Sequence, residues 1–458
     1  MTDNKKFMIL LTCCFSSFLT PFTGSSINIA LPSISKEFSM NAMLLSWVPT
    51  SYNLAAAMFL VPLGRLVDIY GREKYYKSGI IVYTVFSLLS AVAGSPVALI
   101  IYRVFQGLGG AMIFGTSNAI LTSSFPKEER GKILGINLSA VYLGSSLGPI
   151  LGGFLTYSLG WRHIFTANVL VGVAAAIIAF TAMRDKEEAK PEKFDLAGSV
   201  SYCIALIFIM YGFSVLPSMQ GWSLVVLGAL GLAFFGFIEM RHKQPVLDIK
   251  LFRSNTVFIL SNLAAFINYS ATFVVGFLLS LYLQYIKGMS PQQAGLVLVA
   301  QPVLMAVFTS YAGRLSDRIE PGIIASAGMA LTTAGLFMLA FLGNNSPLWF
   351  IIAALILIGF GFAFFSSPNT NAIMSSVDRQ YYGIASAFVG TMRLTGQMMS
   401  FGIIMIIFSF MIGKAKITPE YYGQFLQSAK TGFLVFGILC FIGIAASLFR
   451  GKVRKQEV

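Results

Sequence analysis

The sequence contains little charge of either sign and few of the side chains that catalysis or metal binding requires. Its 458 residues include 18 Asp+Glu, 2 His and 4 Cys, and charged residues make up 11% of the chain. Soluble globular proteins carry roughly 25% charged residues. A chain in which 56% of the residues are hydrophobic could not cover a folded surface with polar groups. The composition therefore excludes a soluble protein and predicts that lipid surrounds most of the chain.

The same scarcity excludes several kinds of function. The cysteines lie in apolar stretches without the spacing of a metal or redox site, and no P-loop is present. No convergent set of nucleophile, acid/base or metal groups is visible, so neither an enzyme nor an ATP-driven pump is expected. The net charge of +14 would suggest nucleic acid in a soluble protein, but here it is assigned to loops that orient the chain in a membrane. We expect no cofactor, no metal, no ATP and no nucleic-acid partner.

Long runs without Asp, Glu, Lys or Arg are abundant, and we interpret them as transmembrane helices of ~20 residues. Three long stretches each hold two helices, separated by a break that contains Gly or Pro or both. Together the runs predict fourteen spans. Single helices are expected in 7–35, 38–64, 133–161, 163–183, 254–286, 288–313, 383–411 and 431–449, and pairs of helices in 78–126, 196–238 and 321–377.

The distribution of basic residues predicts how these spans are oriented. An even number of spans places both termini on one side of the membrane. The loops and tails on that side contain 24 Lys and Arg, the opposite loops contain 6, and Arg103 and Arg393 lie within spans. Because cytoplasmic loops are enriched in Lys and Arg, we predict a multi-pass protein of the cell membrane with both termini in the cytoplasm.

The loop after the second predicted span has the sequence GRLVDIYGREK, beginning at Gly64. Its glycines permit a tight turn, and Asp68 can pair with a basic side chain or a helix N-terminus in one arrangement of the helices, which would act as a latch. A shortened copy, GRLSDR, follows the tenth span and suggests an internal repeat. We interpret both loops as gate motifs, with the candidate residues Gly64, Asp68, Gly71, Arg72 and Asp317.

Two further motifs lie within spans. Arg103 lies inside the fourth span, where a charge costs at least ~2.5 kcal/mol unless it faces a polar interior, and Gln106 lies one turn further on the same face. The fifth span carries glycines at four-residue spacing together with a proline, a pattern that permits close contact with another helix. The residues of this helix-packing motif are Gly144, Gly148, Pro149, Gly152 and Gly153.

These three motifs resemble those of the major facilitator superfamily. The fourteen spans, and the segment NIALP from Asn28, are similar to its fourteen-helix drug:proton antiporter family. The resemblance covers essentially the whole chain and implies an all-α polytopic fold of two six-helix bundles, with two inserted helices, that rock about a central cavity. It also implies that Arg103 takes part in coupling and that the fifth-span glycines belong to an interface associated with export. We accordingly predict domains at 1–183, 184–254 and 255–458.

The chain departs from that family in the first span, where many relatives carry an acidic residue and this sequence has Thr23. All of its acidic residues fall in tails, loops or helix ends, so no carboxylate is expected at the membrane midplane. Proton exchange needs a group that changes its charge in the cavity, usually a carboxylate. The candidates for substrate binding or coupling are therefore the intramembrane polar residues Arg103, Gln106, Arg393, Gln397, Thr23, Asn28, Asn262, Asn268, Tyr269 and Gln301.

The leading interpretation is a secondary transporter that exports small amphipathic compounds by alternating access. The family resemblance implies that a proton gradient drives it, and we expect a monomer in the lipid bilayer. The missing carboxylate leaves open a facilitator or flippase for neutral or anionic amphiphiles or lipids without strict proton coupling. A non-transporting membrane sensor is a further alternative, although no soluble module that could pass on a signal is visible.

Overall fold

The computed structural model consists of helices joined by short loops in the residues that it describes, which are 3–126, 129–183, 194–241, 255–378 and 381–451, with the side chain of Asp68 outside that description. The helices of the first third are α1 (Asp3–Phe38), α2 (Ala42–Tyr70), α3 (Arg72–Ala91), α4 (Pro96–Ser124), α5 (Arg130–Ser158) and α6 (Arg162–Ala182). The next two are α7 (Leu196–Val215) and α8 (Met219–Arg241). The remainder are α9 (Thr256–Thr272), α10 (Val275–Leu281), a π-helical turn (Tyr282–Ile286), α11 (Pro291–Leu298), α12 (Ala300–Ser316), α13 (Pro321–Ala340), α14 (Leu348–Ser375), α15 (Tyr382–Met411), a 3-10 turn (Pro419–Tyr421) and α16 (Tyr422–Leu448).

These helices account for fourteen crossings, because α9 with α10 forms one crossing and α11 with α12 forms another. Within the described residues, thirteen segments are long and apolar enough to span a membrane. The remaining crossing, α3, has 20 residues and a charged first turn that begins at Arg72, but it packs between α4 and α6. The all-α polytopic fold is therefore confirmed. The helices extend beyond the charge-free runs, since α1 includes Lys36 and α16 includes Lys430.

The predicted breaks between paired helices are confirmed, and local side chains explain them. Ser95 precedes α4, and its hydroxyl accepts a hydrogen bond from the backbone N–H of Ala98 at 3.2 Å, which satisfies one of the unpaired donors of the helix N-terminus. The Leu216-Pro217 pair separates α7 from α8, and α14 begins directly after Pro347. Proline is well suited to these positions because it lacks the N–H that a helix interior requires.

Two spans that the sequence predicts as single helices are interrupted. Between α9 and α10, the backbone N–H of Val274 donates to the Ser400 hydroxyl of α15 at 3.1 Å instead of continuing the helical pattern. Between α11 and α12, Pro302 has no N–H to offer the carbonyl of Leu298, where α11 ends. The absence of charge therefore predicted these crossings but could not reveal the interruptions inside them.

The helices pack into two groups with a pair between them. Helices α1–α6 contact one another, as do α9–α16, while α7 packs on α8 and also contacts α2 and α15. This is the predicted arrangement of two bundles and two inserted helices. The predicted domain boundaries, at 184 and 254, fall outside the described residues, so the division into three domains stays a prediction.

Arg450 is buried, although the distribution of basic residues in the sequence places it in the C-terminal tail on the cytoplasmic side. It is 1% exposed, and its guanidinium donates to the carbonyl of Ser447 at 2.8 Å and to the hydroxyl of Ser447 at 2.7 Å. It also donates to Asn369 Oδ1 at 2.7 Å and to Ser261 Oγ at 3.0 Å. Burial lowers the pKa of Arg450 to about 10, and the charge of Glu320 opposes that shift, so the side chain remains charged at neutral pH. These bonds join the end of α16 to α9 and α14.

We expect Arg450→Met to destabilise the second bundle by roughly 2–4 kcal/mol, because hydrogen bonds to a charged group contribute about 1.5–3 kcal/mol each and the buried acceptors would lose their donor. The measurement is thermal unfolding of the purified protein in detergent. Lys416→Met, which removes an exposed lysine, is the matched control. Equal unfolding midpoints for Arg450→Met and the unmodified protein would contradict a structural role for Arg450.

Candidate functional site

A cavity lies between the two bundles, near the middle of their helices. Its walls come from α1, α2, α4 and α5 on one side and from α9–α12, α14 and α15 on the other. It contains about 1610 Å³ of empty space, including the part that is open to solvent. Phe114, Phe273, Phe362 and Phe401 give much of the wall an aromatic character. A largely apolar cavity with a few polar groups suits an amphipathic ligand.

Six of the ten polar candidates line this cavity, and four do not. The lining candidates are Asn28, Arg103, Tyr269, Gln301, Arg393 and Gln397. The other four, Thr23, Gln106, Asn262 and Asn268, are buried inside their own bundles at or below 1% exposure. A polar residue in a span can face either the cavity or a neighbouring helix, and both placements keep it from lipid. Composition could therefore not separate the two groups.

Thr23, at the position where many relatives carry an acid, faces the interior of the first bundle. Its hydroxyl lies 2.5 Å from the hydroxyl of Tyr83 and donates to Asn168 Oδ1 at 2.8 Å. In the second bundle, the amide of Asn262 donates to the carbonyl of Phe258 at 2.9 Å within α9. Both side chains therefore bond to protein groups in their own bundles, away from the cavity.

The charge of the cavity wall is positive. Among the described residues, the lining contains Arg103 and Arg393 and no Asp, Glu, Lys or His, which gives a formal charge of +2. This agrees with the expected absence of a midplane carboxylate. At an effective dielectric constant of about 20, two unit charges 4 Å apart interact by about 4 kcal/mol, so a ligand cation would be repelled and a ligand anion attracted.

Arg103 is buried at the cavity wall and is held by protein groups. It is 1% exposed, its Nε donates to the carbonyl of Val48 at 3.3 Å, and its Nη1 donates to Gln106 Oε1 at 2.6 Å. Gln106 in turn donates to the hydroxyl of Ser87 at 2.7 Å, and the Arg103 guanidinium lies 4.5 Å from the centroid of the Tyr52 ring. The side chain thus joins α2, α3 and α4 at the cavity wall. Its role in coupling stays a prediction.

Arg393 is less enclosed than Arg103. It is half-buried, and no described residue accepts a hydrogen bond from its guanidinium. Its Cζ lies 5.6 Å from the centroid of the Phe114 ring and 5.8 Å from that of Tyr269. Aromatic faces attract a cation but do not supply the acceptors that five guanidinium N–H groups require.

The aromatic wall was not among the sequence candidates. With 41 Phe and 18 Tyr in the chain, an individual aromatic residue in a span carries little information. Phe114 could have been found, because it lies eleven residues after Arg103 and three helical turns of 3.6 residues return to the same face. No spacing in the sequence could have identified Tyr52, because it lies on α2 and contacts Arg103 of α4 across two helices.

Three glycines of the fifth-span motif allow α5 to lie directly against α1. A Cβ at Gly152 would lie 2.7 Å from Ser26 Cα, and one at Gly144 or Gly148 would overlap α1 as well. The hydroxyl of Ser26 donates to the carbonyl of Gly148 at 2.9 Å across the same contact. This part of the motif is therefore packing within the first bundle, and Pro149 lies beside it at the cavity wall.

Gly153 belongs to a different contact, between the bundles. A Cβ there would lie 2.6 Å from the carbonyl oxygen of Pro291 at the start of α11. Nearby, the hydroxyl of Ser280 on α10 donates to the carbonyl of Asn28 on α1 at 2.6 Å. We call this contact the far-side seam, because it lies away from the side on which α1 begins and α16 ends, which we call the terminal side.

The two bundles share a buried apolar core at the far-side seam. The largest buried apolar cluster includes residues of both bundles there, among them Leu31, Leu45, Leu278 and Leu298. Two further clusters each stay within one bundle, and another joins α2 of the first bundle to α7, α8 and α15. The apolar core that both bundles share at the seam resists their separation there.

The gate motifs are only partly described. Gly71 connects α2 to α3 with φ of 100°, a conformation that favours glycine, and its N–H donates to the carbonyl of Val67 at 3.0 Å. The side chain of Asp68 lies outside the described residues, so its action as a latch stays a prediction. In the second copy, Asp317 accepts a hydrogen bond from Asn371 of α14 at 3.3 Å, within the second bundle.

We expect Gly153→Val to separate α5 from α11 and open the far-side seam. The rate at which a membrane-impermeant thiol reagent modifies Ser290→Cys should rise roughly tenfold, which corresponds to about 1.4 kcal/mol. The background should lack Cys13, Cys14, Cys203 and Cys440.

The control for this measurement is Gly135→Val on the same helix, where an added Cβ meets no atom within 4 Å. If Gly153→Val and Gly135→Val gave the same labelling rate, the close approach at Gly153 would not hold the seam shut.

We expect Arg103→Ala to reduce transport more than it reduces the yield of folded protein. The change removes the charged donor from Val48 and Gln106 and leaves a gap beside Tyr52, at a cost of roughly 2–3 kcal/mol. Transport rate per folded molecule and the unfolding midpoint should be measured together. Normal transport by this variant would reduce Arg103 to a packing role.

Comparisons with known proteins point to one family. A sequence model of the Major Facilitator Superfamily matches residues 13–393 and 261–458. The chain is 28% identical to the riboflavin transporter RibZ of Clostridioides difficile (strain 630), over 97% of this chain and 98% of that protein. It is 28% identical to the tetracenomycin C resistance and export protein of Streptomyces glaucescens, over 88% of this chain and 76% of that protein.

The fold is similar to a solved structure as well. The crystal structure of a D-xylose-proton symporter superposes with a TM-score of 0.68 at 15% identity, and the match covers 98% of each chain. Since the identity is low, this likeness concerns the fold alone.

Proposed function

This chain belongs to the Major Facilitator Superfamily, and on that premise we propose that it is a secondary transporter that exports small amphipathic compounds by alternating access. The observation that carries the proposal is the cavity between the bundles, whose wall is apolar and aromatic with a few polar groups. Both bundles contribute to the wall, so a change in their relative position would change access to a bound compound.

The far-side seam supports a direction of transport. The charge distribution predicts that the terminal side is cytoplasmic, so a cavity closed at the seam would receive its substrate from the cytoplasm or the inner leaflet. The similarity to a protein named for tetracenomycin C resistance and export supports the same direction. The similarity to a protein named for riboflavin transport fits a substrate with a flat aromatic ring system.

We further propose that a proton gradient drives export, as the family resemblance implies. No carboxylate lines the cavity among the described residues, so the group that exchanges the proton would lie outside the wall. The same observation favours a second candidate, a facilitator or flippase for neutral or anionic amphiphiles without strict proton coupling. The two candidates differ in one measurable property, which is whether a pH gradient changes the rate.

Gly24→Phe offers a way to block the cavity without disturbing helix packing. Gly24 lines the cavity from α1, and an added Cβ there meets no atom within 4 Å. Gly236→Phe on α8 is the matched control, because Gly236 also has no atom within 4 Å of an added Cβ and does not line the cavity.

We expect inside-out membrane vesicles that contain the protein to accumulate fluorescent amphiphiles, riboflavin among those tested, roughly tenfold faster than vesicles with Gly24→Phe, a difference of about 1.4 kcal/mol in the barrier. Gly236→Phe should behave like the unmodified protein. Acidifying the vesicle lumen should accelerate accumulation, and an uncoupler should abolish that acceleration.

Each outcome has a distinct meaning. If accumulation requires the protein but its rate does not change with the pH gradient, the facilitator would be favoured over proton-coupled export. Equal rates in vesicles with the unmodified protein and with Gly24→Phe, for every compound, would count against transport through this cavity.

A further inference from the structure

The two arginines of the cavity differ in how their hydrogen bonds are satisfied. Arg103 donates to Val48 and to Gln106, and it is 1% exposed. Arg393 lines the same cavity on α15, but no described residue accepts a hydrogen bond from it. A guanidinium carries five N–H donors and cannot lose its charge in a protein. Arg393 therefore presents unsatisfied donors toward the cavity.

Aromatic rings hold Arg393 in place without neutralising it. The rings of Phe114 and Tyr269 have their centroids 5.6 Å and 5.8 Å from its Cζ, and they come from different bundles. Phe362 packs edge-on against Tyr269 at 5.5 Å and extends the aromatic surface. Because no described residue accepts a hydrogen bond from Arg393, an acceptor has to come from water or from a ligand.

A second donor lies beside this cation. Gln397 is four residues further along α15, so its side chain projects from the same helical face as Arg393. It is 7% exposed, it lines the cavity, and no hydrogen bond joins its amide to a described residue. An amide nitrogen next to a guanidinium extends the set of N–H groups that one oxyanion could reach.

We propose that Arg393 and Gln397 bind the anionic group of the substrate, while Phe114 and Tyr269 bind its aromatic ring. This assignment rests on the proposed function and specifies the substrate class as anionic aromatic amphiphiles. The planar guanidinium matches the geometry of carboxylate, sulfonate and phosphate oxygens. An organic cation would bring a third positive charge into a wall that already holds Arg103 and Arg393, and this repulsion selects against it.

The test uses two probes that share one aromatic scaffold and differ in charge. 8-Anilinonaphthalene-1-sulfonate is anionic, and N-phenyl-1-naphthylamine is the same scaffold without the sulfonate. Their affinities for the purified full-length protein are measured by equilibrium dialysis in detergent, with protein-free micelles as the blank. The variants are Arg393→Gln, Arg393→Lys, Gln397→Ala and, as a matched control at an exposed basic residue, Lys416→Gln.

The unmodified protein should bind the sulfonate more tightly than the uncharged probe. Arg393→Gln should weaken sulfonate binding roughly tenfold or more and change binding of the uncharged probe by less than about twofold. The sulfonate affinity of Arg393→Lys should lie between those of the unmodified protein and Arg393→Gln, since lysine retains the charge but not the planar guanidinium. Gln397→Ala should weaken sulfonate binding by a smaller factor, and Lys416→Gln should leave both affinities unchanged.

Three results would overturn the assignment. The first is equal affinity of the unmodified protein for the two probes. The second is unchanged sulfonate binding by Arg393→Gln. The third is an equal loss of affinity for both probes in that variant. The binding measurement is independent of flux. If selective sulfonate binding were found in a protein that moves neither probe across vesicles, the anion site would stand and the export proposal would fail.

Discussion

A charge that lies at the depth of the bilayer must be solvated by the protein itself, and this constraint shapes the whole cavity. Water can satisfy a charged side chain on the surface of a soluble protein, but lipid supplies neither donors nor acceptors. This chain places two arginines at its central cavity and, among the described residues, no carboxylate opposite them. Each arginine therefore depends on protein acceptors, on aromatic faces or on what fills the cavity.

Arg103, Arg450 and Arg393 satisfy that constraint differently, and the differences separate structure from function. Arg103 uses Val48, Gln106 and the Tyr52 ring to join three helices of the first bundle. Arg450 joins the end of α16 to α9 and α14 in a comparable way in the second bundle. Arg393 has aromatic neighbours but no acceptor among the described residues, which is why a ligand anion suits it.

Glycine decides how closely the helices approach, and one five-residue motif serves two contacts. Gly144, Gly148 and Gly152 bring α5 against α1 inside the first bundle, while Gly153 brings α5 against the start of α11 in the second bundle. The first contact lies within one bundle, and the second crosses the far-side seam between the bundles. A spacing pattern within α5 marks all four positions without showing which helix each one faces.

Much of the fold could be predicted from the sequence, because hydropathy, charge-free runs and Gly or Pro breaks act locally. Fourteen crossings, the breaks beside Ser95 and Pro347, and the placement of the described carboxylates in loops or at helix ends follow from this information alone. Which way a polar side chain faces was decided only by the tertiary structure. Thr23 bonds to Tyr83 and Asn168 inside a bundle, whereas Arg393 reaches the cavity, since each position depends on neighbours far away in the chain.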